Sequence, residues 1–104
     1  MYKGTTPTLS LEFPETVDLT EATSIAVTFS DGRGNKLMEL TDSDIDVSAH
    51  QIDIDLSQEQ TLAMPKDVLL QVNFLYVDGS TNRRCASEIA GLRFLNNLKN
   101  EVMT

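Results

Sequence analysis

The sequence predicts an all-β domain, an immunoglobulin-like sandwich of about seven strands with one short helical turn. Three observations point there. Apolar residues recur at every second position along most of the chain, the spacing of a sheet that buries one face. Clusters of Gly, Asp, Asn, Ser and Pro break that pattern about every 8–14 residues, as turns between short strands do. The 104 residues, 40% hydrophobic and 6% aromatic with no Trp, suit a single domain with an aliphatic core. The Cys…Trp…Cys pattern of antibody domains is absent, so the expectation rests on architecture.

The elements follow in order. Leu9, Leu11 and Phe13 alternate with Ser10 and Glu12 in a first strand, and Pro14 ends it. Ile25, Val27 and Phe29 share one face of a second. Asp31-Gly32-Arg33-Gly34-Asn35 then reads as a hairpin connection, because Gly and Asx residues tolerate positive φ. Lys36 to Leu40 is the return strand. After the polar connector Thr41-Asp42-Ser43-Asp44, Ile45 and Val47 mark a short edge strand. Ile52, Ile54 and Leu56 alternate with Asp53 and Asp55 in the next. Ser57 with Gln60 three residues on forms a capping box, which predicts one helical turn closed by Pro65. Val68, Leu70, Val72, Phe74 and Tyr76 line one face of the longest strand. Leu69, Leu75 and Val77 on its other face make it central. Asp78-Gly79-Ser80 turns the chain into a last strand, Thr81 to about Phe94, with a bulge or bend expected at Gly91. The whole is one domain over residues 1–104, its polar tail at 95–104 expected to fray.

Charge excludes some partners. Eight Lys and Arg stand against 16 Asp and Glu, a net charge of −8. Such a surface repels phosphate backbones and anionic lipid, so neither nucleic acid nor a membrane is an expected partner. Acidity of this kind first serves solubility. The N-terminus has no apolar signal core, and no apolar run reaches the length of a membrane span. A single cysteine, Cys85, cannot form an intrachain disulfide and fits a reducing compartment.

Each candidate site has a plainer reading. Asp42, Asp44 and Asp46, with Asp53 and Asp55, could gather oxygen ligands for a divalent ion, and Asp42-Ser43-Asp44-Ile45-Asp46 has the opening of a calcium loop. Val47 stands where that loop needs Gly, and Asp53 where it needs Glu, so a solvated strand face is the better reading. His50, the only histidine, reads as an exposed turn residue rather than a general base. Cys85 follows Arg83-Arg84, cations that would favour a thiolate, but a buried place in a strand is the commoner fate. Gly32-Arg33-Gly34 is followed by a strand where a phosphate loop needs a helix. Arg83-Arg84 is too small a basic patch for nucleic acid. No catalytic residue and no cofactor is expected.

The segment Lys3-Gly4-Thr5-Thr6-Pro7-Thr8-Leu9 leads directly into the first strand. It is followed by the Asp31–Asn35 hairpin, by Gln51–Leu56 running into Ser57-Gln58-Glu59-Gln60-Thr61, and by the long strand Val68–Val77. This order, from Lys3 to about Glu101, resembles small proteins encoded in the tail regions of phages and prophages of Gram-positive bacteria. It is also similar to the N-terminal β-sandwich of phage baseplate upper proteins. The apolar closing segment Ile89-Ala90-Gly91-Leu92-Arg93-Phe94 departs from the valine-and-acid strand expected there. The resemblance implies a non-enzymatic structural module of a tail or baseplate, located in the virion tail or the host bacterial cytoplasm. Its partners would be other tail or baseplate proteins, or further copies of itself. Thr5, Thr6, Pro7 and Thr8 are then the candidate partner-binding residues, through strand addition. The competing expectation is a ligand-binding sandwich that takes a divalent ion or a glycan at the Asp42–Asp55 acids. Exposed aromatic platforms for a glycan are scarce, with two Tyr and four Phe in the chain.

Overall fold

The computed structural model describes residues 1–78, 80–87, 89–99 and 101–103. It is an all-β sandwich of two antiparallel sheets with one short α-helix. The described residues form eight strands: β1 (Thr8–Glu12), β2 (Ser24–Ser30), β3 (Lys36–Thr41), β4 (Asp46–Val47), β5 (Gln51–Asp55), β6 (Asp67–Asp78), β7 (Thr81–Ala86) and β8 (Ala90–Arg93). The helix α1 (Gln58–Leu62) joins β5 to β6. One sheet has the order β1-β5-β4; the other has β3-β2-β6-β7, with β8 also paired to β6. These orders are those of the B-E-D and C′-C-F-G sheets of an immunoglobulin sandwich. No described strand takes the place of strand A.

The alternation seen in the sequence builds the core. Ile25, Val27 and Phe29 of β2, Ile52 and Ile54 of β5, and Val68, Leu70, Val72 and Phe74 of β6 all face inward and are buried. Burying that apolar area between the sheets is the main drive for the fold. The β2–β3 connection is the expected hairpin. Asp31 Oδ1 accepts from the backbone N–H groups of Arg33 (2.8 Å) and Asn35 (3.0 Å), and Gly34 takes φ +85°, a conformation costly for any residue with a Cβ. The helix is capped as expected: Ser57 Oγ accepts from Gln60 N (3.1 Å), and Gln60 Oε1 accepts from Ser57 N (2.8 Å).

The last strand departs from expectation. The chain does not run in one strand from Thr81 to Phe94. It leaves β6 after Ala86 and returns at Ala90, so β7 pairs with Asn73–Asp78 and β8 with Asp67–Leu70. Ser87 holds the junction, its hydroxyl accepting from Val72 N (2.9 Å) and its own N–H donating to Val72 O (2.8 Å). Gly91, where a bulge was expected, sits inside β8 in register with Leu69. The connector 42–44 is also more ordered than a plain loop. Asp42–Asp44 forms a 3-10 turn whose start is capped by Asp44 Oδ2 on Thr41 N (3.0 Å).

The chain ends are tied together. Tyr2 and Leu95 form a parallel bridge, with Lys3 N donating to Leu95 O (2.9 Å) and Leu95 N to Met1 O. The lead-in then passes α1. Thr61, fully buried, accepts at Oγ1 from Gly4 N (2.9 Å) and donates to Thr5 O (2.8 Å). Farther along, Asn97 Nδ2 donates to Lys3 O (3.0 Å), and Gln58 exchanges two hydrogen bonds with the backbone of Met103.

Candidate functional site

The predicted acidic cluster does not converge. Asp44 is occupied in capping Thr41. Asp46 is exposed on the short edge strand β4, in register with Asp53. Asp53 Oδ1 accepts from Ser10 Oγ (2.7 Å) and Gln51 Nε2 (2.8 Å), while Asp55 Oδ1 accepts from Thr8 Oγ1 (2.6 Å). Neighbouring donors from β1 and β5 therefore already hold these oxygens, and they form cross-strand pairs on a solvent face. Among the described residues no three His, Cys, Asp or Glu side chains gather to hold a metal ion. Titrating the protein with Ca²⁺ in a calorimeter should give no saturable heat, and Asp44→Ala with Asp46→Ala should leave the trace unchanged.

Asp53 of this cluster, and Asp31 and Asp18 outside it, are held below the ordinary value of 3.8. The Gln51 amide and then the Ser10 hydroxyl do this for Asp53, the Asn35 side chain for Asp31, and the Thr20 hydroxyl for Asp18. A carboxyl whose folded value is lowered adds stability above its unfolded value and loses it as pH falls through the folded one. The urea midpoint should therefore be level near neutrality and fall as pH drops below about 4. In the double variant Asp31→Asn, Asp53→Asn that fall should be shallower.

His50 is not an exposed spacer. It is half-buried, and its Nδ1 lies 2.7 Å from Val17 O. A carbonyl can only accept, so Nδ1 carries the proton. The His50 carbonyl accepts from Phe13 N (2.8 Å), so this residue staples the 13–17 segment to the start of β5. Cys85 is half-buried on β7, packed against the core and in register with Phe74. Arg83 and Arg84 are exposed on the same strand, and Arg84 reaches Asn73 Oδ1 at 3.2 Å. Gly32, Arg33 and Gly34 are exposed at the hairpin.

Of the four candidate partner-binding residues, Thr8 alone lies in a strand. Thr5 and Thr6 are exposed in the lead-in, and Pro7 O accepts from Leu56 N (3.0 Å). That bond and the one from Phe13 N to His50 O fix the phase of the β1–β5 ladder. Leu9 and Leu11 bond to β5, and the backbone groups of Thr8, Ser10 and Glu12 point away from it. No described strand pairs with that outer edge.

Beside this edge the two sheets part. Leu70, Val72 and Phe74 of β6 floor an open groove of about 620 Å³, with Leu11 and Phe13 on one wall and Ala86 and Ala90 on the other. It continues past Val17 and Phe74 into a second hollow of about 760 Å³ beside Asp18, Glu21, Tyr76 and Arg83. Phe13, Phe74 and Tyr76 line it as an edge-to-face aromatic ladder, with centroids 5.9 and 5.7 Å apart. Tyr76 Oη donates to Asp18 O (3.0 Å), and burial, then the nearby Cys85, raise its pKa. The acids of this groove, Glu12, Asp18 and Glu21, lie in a stretch of sequence with no Lys or Arg between them. The sequence did not show that they flank an open edge.

No family model, no curated protein and no solved structure matches this chain. Among the described residues no helix is long and apolar enough to cross a membrane.

Proposed function

We propose that this domain is a non-enzymatic structural and interaction module of a phage or prophage tail or baseplate, acting by protein–protein contact. One observation carries the interaction part: the outer edge of β1 presents backbone donors and acceptors that no described strand uses. Such an edge is a template for another chain unless it is blunted by bulges, charge or proline. Here β1 has no bulge in its register, its prolines Pro7 and Pro14 lie just outside it, its one charge is Glu12, and its flanking groove is floored by apolar side chains. The tail or baseplate setting rests on the order of segments from the Lys3–Leu9 lead-in to Glu101. In that setting the protein works in the virion tail or, before assembly, in the host cytoplasm, and the net charge of −8 favours neither nucleic acid nor lipid as its target.

The test is composition of the particle. Phage particles purified after induction of the host should contain this protein by mass spectrometry, in a copy number that fits the symmetry of the tail. Genes for tail-length and baseplate proteins should lie beside its own. Intact particles that show tail proteins but lack this chain would overturn the reading.

A further inference from the structure

The flank between β1 and β7–β8 has three properties at once. Its two borders are sheet edges. The outward backbone groups of Thr8, Ser10 and Glu12 line one, and the alternation of the β6 ladders leaves those of Ala86 and Gly91 outward on the other. Its floor is apolar, formed by Leu70, Val72 and Phe74. Its walls are acidic: among the described residues Glu12, Asp18 and Glu21 line it, against one cation, Arg83. Edge backbone selects an extended chain, because only a strand can meet a row of alternating donors and acceptors. An apolar floor selects side chains on one face of that strand. The acidic walls select basic residues on the other.

We propose that this groove takes an extended segment of another protein, alternating apolar and basic residues, in the place that strand A fills in a complete sandwich; the proposal rests on the interaction-module reading above. The segment adds to the outer edge of β1, lays its apolar side chains against the half-buried Leu11, Phe13 and Val17 above the buried Val72 and Phe74, and sets its cations against Glu12, Asp18 and Glu21. A second copy of this chain is a poor occupant, because each copy brings a net charge of −8 to an acidic wall.

The probe is an N-acetylated, C-amidated heptapeptide alternating lysine and valine, followed by amide NMR on the labelled protein. A peptide alternating glutamate and valine is the control. The expected result is saturable shifts at Ser10, Glu12, Ala86 and Ala90 with the lysine peptide alone. The pair Glu12→Lys, Glu21→Lys should bind about tenfold more weakly, since like charges now face each other. The pair Glu39→Lys, Glu101→Lys makes the same change in net charge outside the groove and should bind nearly as the parent does. Ser10→Pro removes an outward N–H without touching the β5 ladder, so it should keep a folded spectrum and lose the shifts.

Shifts scattered over the acidic surface, and weakened equally in both charge pairs, would overturn the proposal as mere charge attraction. Shifts at the same amides on raising protein concentration without peptide would overturn it in favour of a second copy. No shifts at all would overturn it outright. A silent groove in a protein that is present in particles defeats this proposal alone. A binding groove in a protein absent from particles defeats the tail setting alone.

Discussion

Phe94→Ala should destabilise the domain by about 3–5 kcal/mol, among the largest losses any single truncation here can cause. Phe94 follows the last strand, where a terminal segment usually frays. Its side chain is nevertheless 0% exposed, and its N–H donates to Lys66 O at 2.7 Å. The β6–β8 register puts Leu92 and Phe94 toward the core while Gly91 and Arg93 face out. Removing the ring leaves a void under the start of β6 that the close-packed sheets cannot fully collapse. Against a total stability of about 5–15 kcal/mol, that loss takes about a fifth or more. Urea denaturation measures it. Leu98→Ala is the matched control, since Leu98 is 105% exposed and should shift the midpoint by no more than about 0.5 kcal/mol. A loss at Phe94 no larger than at Leu98 would show that β8 and the residues after it stand apart from the core.

Thr61→Val should cost about 1–3 kcal/mol while changing the core's shape very little. Val matches Thr in volume but has no hydroxyl. The Thr61 hydroxyl joins the lead-in to α1: it accepts from Gly4 N, donates to Thr5 O, and lies 3.3 Å from Ser57 O. Without it the Gly4 N–H and the Thr5 carbonyl lose their partner in a half-buried place, and the desolvation cost of such groups is not recovered. Hydrogen exchange should locate the effect, with faster exchange at Gly4 and unchanged rates in β2. Gly4 itself leaves little slack. It sits at φ +80°, and a Cβ there would come within 3.2 Å of Leu62 Cδ2, so the lead-in cannot simply re-route.

What could be read from the sequence was local. The Ser57–Gln60 capping box and the Asp31–Asn35 hairpin each close within a few residues, so their chemistry is visible as spacing. The Ile52–Ile54 alternation was visible because burial on one sheet face imposes a period of two. The split between β7 and β8 was not, because it turns on Ser87 reaching the backbone of Val72, 15 residues away. Leu19, 1% exposed in a 3-10 turn at Leu19–Glu21, belongs to the core but to no period, since three residues are too few to show one. The groove is harder still. Its acids are plain in the chain, but an open edge is a property of sheet order, and sheet order is fixed by pairings such as β1 with β5 that span about forty residues. His50 looked like a spacer for the same reason: its partner, Val17 O, is 33 residues away.

The bridge between Tyr2 and Leu95, with the Met1 ammonium donating to Arg93 O at 3.1 Å, brings the polypeptide path almost back to its own beginning. The backbone is thus close to a ring, and the choice of where that ring is cut matters little to the sheets. A short flexible joint from Leu95 to Tyr2, with a new opening at the exposed Gly32–Gly34 hairpin, would leave every ladder except the β2–β3 turn intact. The same geometry makes the domain a cassette. Spliced into a loop of a larger host protein, it would enter and leave at neighbouring points and ask little rearrangement of the host.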